Sequence, residues 1–363
     1  MRYRVQSVTL PAAALLAIAL CNVRLFADDS AMTGIGGGAV APMASHPSVR
    51  MVSETVSIGL SDKGAKVHCE FAFKNEGSKR VVKMGFPENA WASGDGSCGR
   101  LSGFRSWVDG KPIKCVYKQG KLIKGKASSE QNCYSWYVKD VPFDPGQTRT
   151  IVDEYSTYLG SSSNSMMTDY ETPKTFDYIL KSGRNWKGPI GKAKIIVDTS
   201  RVTPEHYELS SSPGGFVTGG NSISWTFSNF EPTEDISIDL VPRYPELNGK
   251  MIGPDDWTPL DRKGGVTMTG LGFLRKLGAR IEYPERHGAI VITYNGHTLR
   301  LVPGSKTGTL DGAKISLQAP PSTDAYPAQI PAALVVRALG GKAHYSQQDH
   351  RLHLSLKNVP SGR

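Results

Sequence analysis

Between residues 52 and 241 the apolar side chains recur with a period of two, in short runs punctuated by glycine, proline, asparagine and aspartate. The pattern is clearest over 66–74. There Val67, Cys69, Phe71 and Phe73 alternate with His68, Glu70, Ala72 and Lys74, between Ser61-Asp62-Lys63-Gly64 and Asn75-Glu76-Gly77. Such alternation sends successive side chains to opposite faces of a strand and predicts that Cys69 is buried. Further strands are expected at 52–60, 81–86, 104–108, 113–117, 134–138, 148–155, 176–180, 193–197, 222–227 and 236–241. The 81–86 strand should stop at Pro87, and Asp109-Gly110 should turn a hairpin. No sustained helical period occurs in this half. The expected fold is mainly β, beginning with a β-sandwich-like domain.

With 39% hydrophobic and 21% charged residues, the 363-residue chain supports a packed core, which excludes wholesale disorder. Its length fits about two domains. Residues 1–27 read as a secretory signal, with Arg2 and Arg4 ahead of an apolar run over 8–20 and Ala27 at the cleavage position. No later segment is apolar for long enough to cross a membrane as a helix. Cleavage would remove Arg2, Arg4 and Arg24, lowering the formal charge of +10 by three. A basic exported chain favours acidic partners, here an anionic cell-wall polymer or an envelope protein, and no nucleic-acid motif is seen. Loss of Cys21 leaves Cys69, Cys98, Cys115 and Cys133. In an exported protein these read as two disulfides, with three pairings open.

Several motifs then point to a family. Ala27-Asp28-Asp29-Ser30 precedes a Gly36-Gly37-Gly38 patch and Val49-Arg50-Met51-Val52-Ser53-Glu54. Gly85-Phe86-Pro87-Glu88, Pro145-Gly146-Gln147-Thr148-Arg149-Thr150 and Trp186-Lys187-Gly188-Pro189-Ile190-Gly191 follow. Over about 28–242 the chain resembles a bacterial exported domain family of unknown function. The resemblance implies a fold but no chemistry, and makes the glycine patch part of the domain.

Residues 242–259 carry four prolines and two glycines and read as a linker, with its bounds set at 243–263. An internal repeat follows, residues 273–293 aligning with 335–355 without gaps. Arg275/Arg337, Leu277/Leu339, Gly278/Gly340 and Tyr283/Tyr345 are identical. Each copy reads as a short helix stopped by glycine and then two strands, giving a small α+β domain with two repeated helix-strand-strand units. Asn295-Gly296 and Asp311-Gly312 signal hairpins. With Gly304-Ser305 and Ile330-Pro331 before the second helix, residues 264–358 look like the copper amine oxidase N-terminal-like domain. That resemblance implies an accessory stalk rather than a catalytic domain. No His-x-His, which the oxidase copper site needs, occurs in the sequence.

Catalytic and cofactor motifs are absent on inspection. Gly270-Leu271-Gly272 has Arg275 where a dinucleotide fingerprint needs glycine, and Asp95 breaks a GxSxG elbow at Ser97. His350 and His353 fall on opposite faces of a strand, which is poor for one metal, and His344 could approach from the neighbouring strand. No catalytic residue, metal ligand or cofactor is therefore assigned. Lys111, Lys114, Lys118, Lys121, Lys124 and Lys126 form either an anion-binding hairpin or a solvated edge that discourages strand pairing. Tryptophans 91, 107, 136, 186 and 225 could line a sugar platform, although such residues more often fill cores. The function expected is a non-catalytic binding or scaffolding role in the envelope. An envelope hydrolase or transferase with an interdomain carboxylate site is one alternative, with Asp153 and Glu154 the adjacent acids noted. A small-ligand-binding protein for a sensory or transport partner is the other.

Overall fold

The computed structural model describes residues 30–35, 39–42, 45–91, 101–118, 122–124, 131–161, 172–252, 260–263, 266–284, 288–322 and 328–357. Their architecture is mainly β, with two short α-helices. The N-terminal half is a sandwich. One layer is an eight-stranded sheet, in spatial order Val217–Gly219, Ser222–Phe230, Ile190–Arg201, Val49–Ser61, Gly64–Asn75, Thr148–Tyr158, Ser102–Val108 and Lys111–Ile113. All its pairs are antiparallel except Ile190–Arg201 against Val49–Ser61. Two smaller sheets supply the opposing side chains of a single core cluster. One is built on Arg80–Trp91 and Gln131–Phe143, the other on Lys174–Tyr178 and Ile236–Pro242.

The family motifs have local physical reasons. Trp186 is buried against Phe73, with ring centroids 4.4 Å apart, and the next N–H donates to the Val49 carbonyl. At Gly191 an added Cβ would lie 2.3 Å from the Val52 carbonyl oxygen, so only glycine lets the strands approach. Gly146, with φ +71°, turns the 145–147 loop so that its N–H meets the Asn75 carbonyl. Phe86 is core, packed on Tyr155.

Two strand expectations need correction. The strand expected to stop at Pro87 runs on to Trp91, because Gln131–Phe143 pairs with it along its whole length, Trp136 lying opposite Pro87. The single strand expected at 113–117 is two, Lys111–Ile113 and Val116–Lys118, in different sheets. The chain crosses between layers at Lys114-Cys115.

The repeat in the C-terminal half is a structural repeat. Helices Gly272–Lys276 and Ala332–Ala338 are followed by Gly278 and Gly340 at φ +90° and +82°. Hairpins follow, and the matched residues Ile290/Leu352 and Ile292/Leu354 are buried in one core. Asn295-Gly296, Asp311-Gly312 and Asp109-Gly110 all have positive φ at both turn positions, as two-residue hairpins demand. The stretch read as a linker contributes Glu246–Leu247 and Lys250–Met251 to the C-terminal sheet, the former parallel to Arg351–Ser355.

The sandwich core is unusually polar at one level. Lys139 pairs with Asp153 inside it, and the Tyr178 hydroxyl donates to Glu54 at 2.8 Å while lying 3.6 Å from the Cys69 sulfur. Burial pushes the Glu54 carboxyl up to about 7. A carboxyl whose proton is held more tightly in the folded state stabilises below its unfolded value, and that contribution is lost as pH rises through about 7. Glu54→Gln keeps an acceptor for Tyr178 and should raise stability at pH 8 by roughly 3 kcal/mol. Little gain is expected at pH 5, as thermal melts at the two pH values would read. His46 works in the opposite direction. Burial holds it near 4, and its Nδ1 accepts from the Ser48 and Val49 N–H groups, so its contribution is lost as pH falls through that range.

Candidate functional site

The outer face of the eight-stranded sheet is polar, and registry sets its side chains in rows. One row runs Ile196, Ser57, His68, Glu154 and Arg105; the next runs Asp198, Gly59, Lys66 and Ser156. A groove of about 600 Å³ opens over these rows, lined by Ser57, Lys66, His68, Ser102, Arg105, Glu154 and Ser156. A second hollow of about 250 Å³ continues it toward Lys63, Tyr158 and Arg201, sharing Lys66, Ser102 and Ser156. Five strands lie between Arg105 and Arg201 inclusive, so the strands that bear them are about 19 Å apart across the sheet at normal strand spacing, with both guanidinium groups reaching inward from them.

Within the groove Glu154 is held from both sides. Its Oε1 lies 3.0 Å from His68 Nδ1, and its Oε2 accepts from Arg105 at 2.9 Å. The Arg105 guanidinium also lies over the Trp107 ring. Glu154 is the one carboxylate among the lining residues, against Lys63, Lys66, Arg105 and Arg201, with Asp198 of the adjoining row near Arg201. Gly59 matters here because a Cβ would lie 2.5 Å from an Arg201 guanidinium nitrogen. Its absence lets Arg201 fold across the strand and donate to the Gly59 carbonyl at 3.1 Å. Tyr158, 83% exposed, presents an aromatic face at the groove's far end. Chemically the groove presents ammonium and guanidinium donors on a rigid sheet, an arrangement suited to anionic groups.

The sequence-singled residues fall elsewhere. Lys111 and Lys114 are exposed at the edge of the eight-stranded sheet, while Lys118 is half-buried on a strand of the opposing layer. The lysine run is therefore not one hairpin. Lys121, Lys126 and the side chain of Lys124 lie outside the described residues. Cys69 is buried as expected and Cys115 is half-buried; Cys98 and the side chain of Cys133 lie outside the described residues. Trp186 and Trp225 fill the core, and Trp107 is half-buried under Arg105.

Adjacent Asp153 and Glu154 point to opposite faces of their strand, one into the core and one into the groove. They do not form a carboxylate pair. At the junction of the halves, Glu208 lies 2.8 Å from Arg351 and 3.7 Å from Arg243. Arg243 also donates to the Asp349 carbonyl at 2.7 Å. His344 and His353 stack at 4.9 Å, and His353 bonds Asp349. Among the described residues no group of three His, Cys, Asp or Glu side chains is arranged to hold a metal.

Glu154 was noted from sequence, though for a carboxylate pair; the residues missed, Lys66, His68, Arg105 and Arg201, carried a faint signal. The alternation that turns Cys69 inward turns Lys66 and His68 outward.

Residues 247–354 match the family model of the copper amine oxidase N-terminal domain, a non-catalytic domain, and residues 171–238 match that of a domain of unknown function (DUF4424). No curated protein matches the chain. Among solved structures it is similar to a candidate nutrient-binding protein of Legionella pneumophila, at 20% identity and a TM-score of 0.44, over 60% of this chain and 70% of that one. It is also similar to a two-domain M1 zinc metallopeptidase, at 11% identity and a TM-score of 0.27, over 63% of this chain and 48% of that one. An M1 zinc metallopeptidase of Deinococcus radiodurans gives 9% identity and a TM-score of 0.27, over 73% of this chain and 51% of that one.

Proposed function

We propose that this chain is an exported, non-catalytic envelope protein whose sandwich grips an anionic polymer in the Lys66–Arg105–Arg201 groove. The observation that carries this reading is the groove's charge: four lysine and arginine side chains against Glu154, already bound by His68 and Arg105, and Asp198 beside Arg201. Its open, elongated form suits successive anionic groups of a glycan better than an enclosed small molecule. The formal charge, +10 before the three signal arginines are removed and still positive after, adds a long-range attraction of the same sign. The C-terminal domain serves as the stalk that presents the sandwich, and disulfides among the four remaining cysteines belong to the same exported state.

The test is co-sedimentation of the full chain with cell-wall sacculi, with and without their anionic polymers, across a salt series. Binding should need the anionic polymer. It should fade between about 0.05 M and about 1 M salt, as the screening length shrinks to about 3 Å. Equal binding to stripped sacculi, or binding indifferent to salt, would overturn the reading.

A further inference from the structure

The most unusual chemistry in the molecule lies away from the groove. Lys139 and Asp153 are both 0% exposed, and the Lys139 Nζ lies 2.7 Å from each Asp153 carboxylate oxygen. A third core group, Ser106 Oγ, accepts from the same nitrogen at 3.0 Å. The two residues come from opposite layers. Lys139 is on Gln131–Phe143 of the six-stranded sheet, and Asp153 is on Thr148–Tyr158 of the eight-stranded sheet, with Ser106 its register partner.

We propose that Lys139 and Asp153 condense into an intramolecular isopeptide bond once the sandwich has folded. The geometry holds the nitrogen beside the carboxyl group in a site closed to bulk solvent; a small tilt out of the carboxylate plane would bring its lone pair onto Cγ, and a fixed intramolecular pair gains the proximity that acyl transfer needs. A proton passes from Nζ to one Asp153 oxygen along the existing hydrogen bond. The freed nitrogen lone pair attacks Cγ, and the C–N bond forms. A second nitrogen proton passes to the protonated oxygen, with Ser106 Oγ placed to relay it. The C–O bond then breaks and water leaves. No oxidant or co-reactant is involved. The product removes two buried charges and leaves a neutral amide whose N–H still meets Ser106. A buried ion pair gives little net stability by itself; the covalent form ties the two layers together and resists their being pulled apart.

Intact-mass spectrometry of the full chain, denatured and reduced so that disulfides do not contribute, tests this directly. The mass should be lower than that set by the chain's own N-terminus and sequence by one water, about 18 Da. Peptide mapping should show a branched peptide joining the Lys139 and Asp153 segments. Asp153→Ala and Lys139→Met should restore the full mass, and this reading does not require them to fold. Asp153→Asn should still cross-link, losing ammonia instead of water. A wild-type mass equal to the sequence mass, with the two peptides separate, overturns the proposal, as does a water loss mapping to other residues.

Discussion

Replacing Asp153 with alanine should destabilise the N-terminal sandwich by about 3–5 kcal/mol, because it takes the carboxylate from a Lys139 ammonium buried in the core. For a domain of this size that is a fall in melting temperature of roughly 10 °C or more. Lys139→Met should cost a similar amount, since it leaves Asp153 buried and unpaired. The two losses should not add. In the Lys139→Met/Asp153→Leu double variant neither charge of the pair is left buried alone, and most of the charge-burial penalty vanishes. Any shortfall against wild type then measures the covalent tie between the layers. Single variants that melt as wild type does would show that water reaches this part of the core.

Charge reversal in the groove should act on binding and leave stability alone. Lys66 and Arg201 are exposed on neighbouring parts of the outer face, so Lys66→Glu with Arg201→Glu should shift the melting temperature little. Each reversal replaces an attraction with a repulsion, worth about 1 kcal/mol at an exposed site. Together they should weaken polyanion binding by roughly 30-fold. Lys111→Glu with Lys114→Glu changes the net charge equally, at the sheet edge outside the groove lining. This pair should slow association slightly and leave affinity within about threefold. Equal losses from both double variants would mean that net charge, rather than the groove, does the binding.

Much of the fold was legible in the sequence because period-two alternation and turn chemistry are local. Val67, Cys69, Phe71 and Phe73 announced a buried strand face, and Asn295-Gly296, Asp311-Gly312 and Asp109-Gly110 announced their hairpins. The repeat was legible for the same reason: each copy carries its own glycine stop and its own apolar pair. The breaks came where neighbours decide. Pro87 stays within its strand because Gln131–Phe143 pairs on past it to Trp91, which no local pattern records. The lysine run between 111 and 126 reads as one unit until the chain changes sheets near Cys115. The groove was hidden more deeply. Lys66, Arg105 and Arg201 meet through sheet order, which places sequence neighbours apart and residues 96 positions distant in Arg105 and Arg201 on one face. The Lys139–Asp153 pair was hidden too, since a lysine in a strand reads as outward-facing until its layer is placed.

The most direct test of the groove as the binding site is a hydrogen-exchange footprint of the full chain, with and without a soluble polyanion such as polyphosphate at low salt. Slowed exchange should be confined to the segments that line the groove, around Lys66–His68, Ser102–Arg105 and Glu154–Tyr158, with the C-terminal repeat unchanged. Protection centred on Lys111–Lys118 or on the C-terminal domain, or no protection at saturating polyanion, would contradict it.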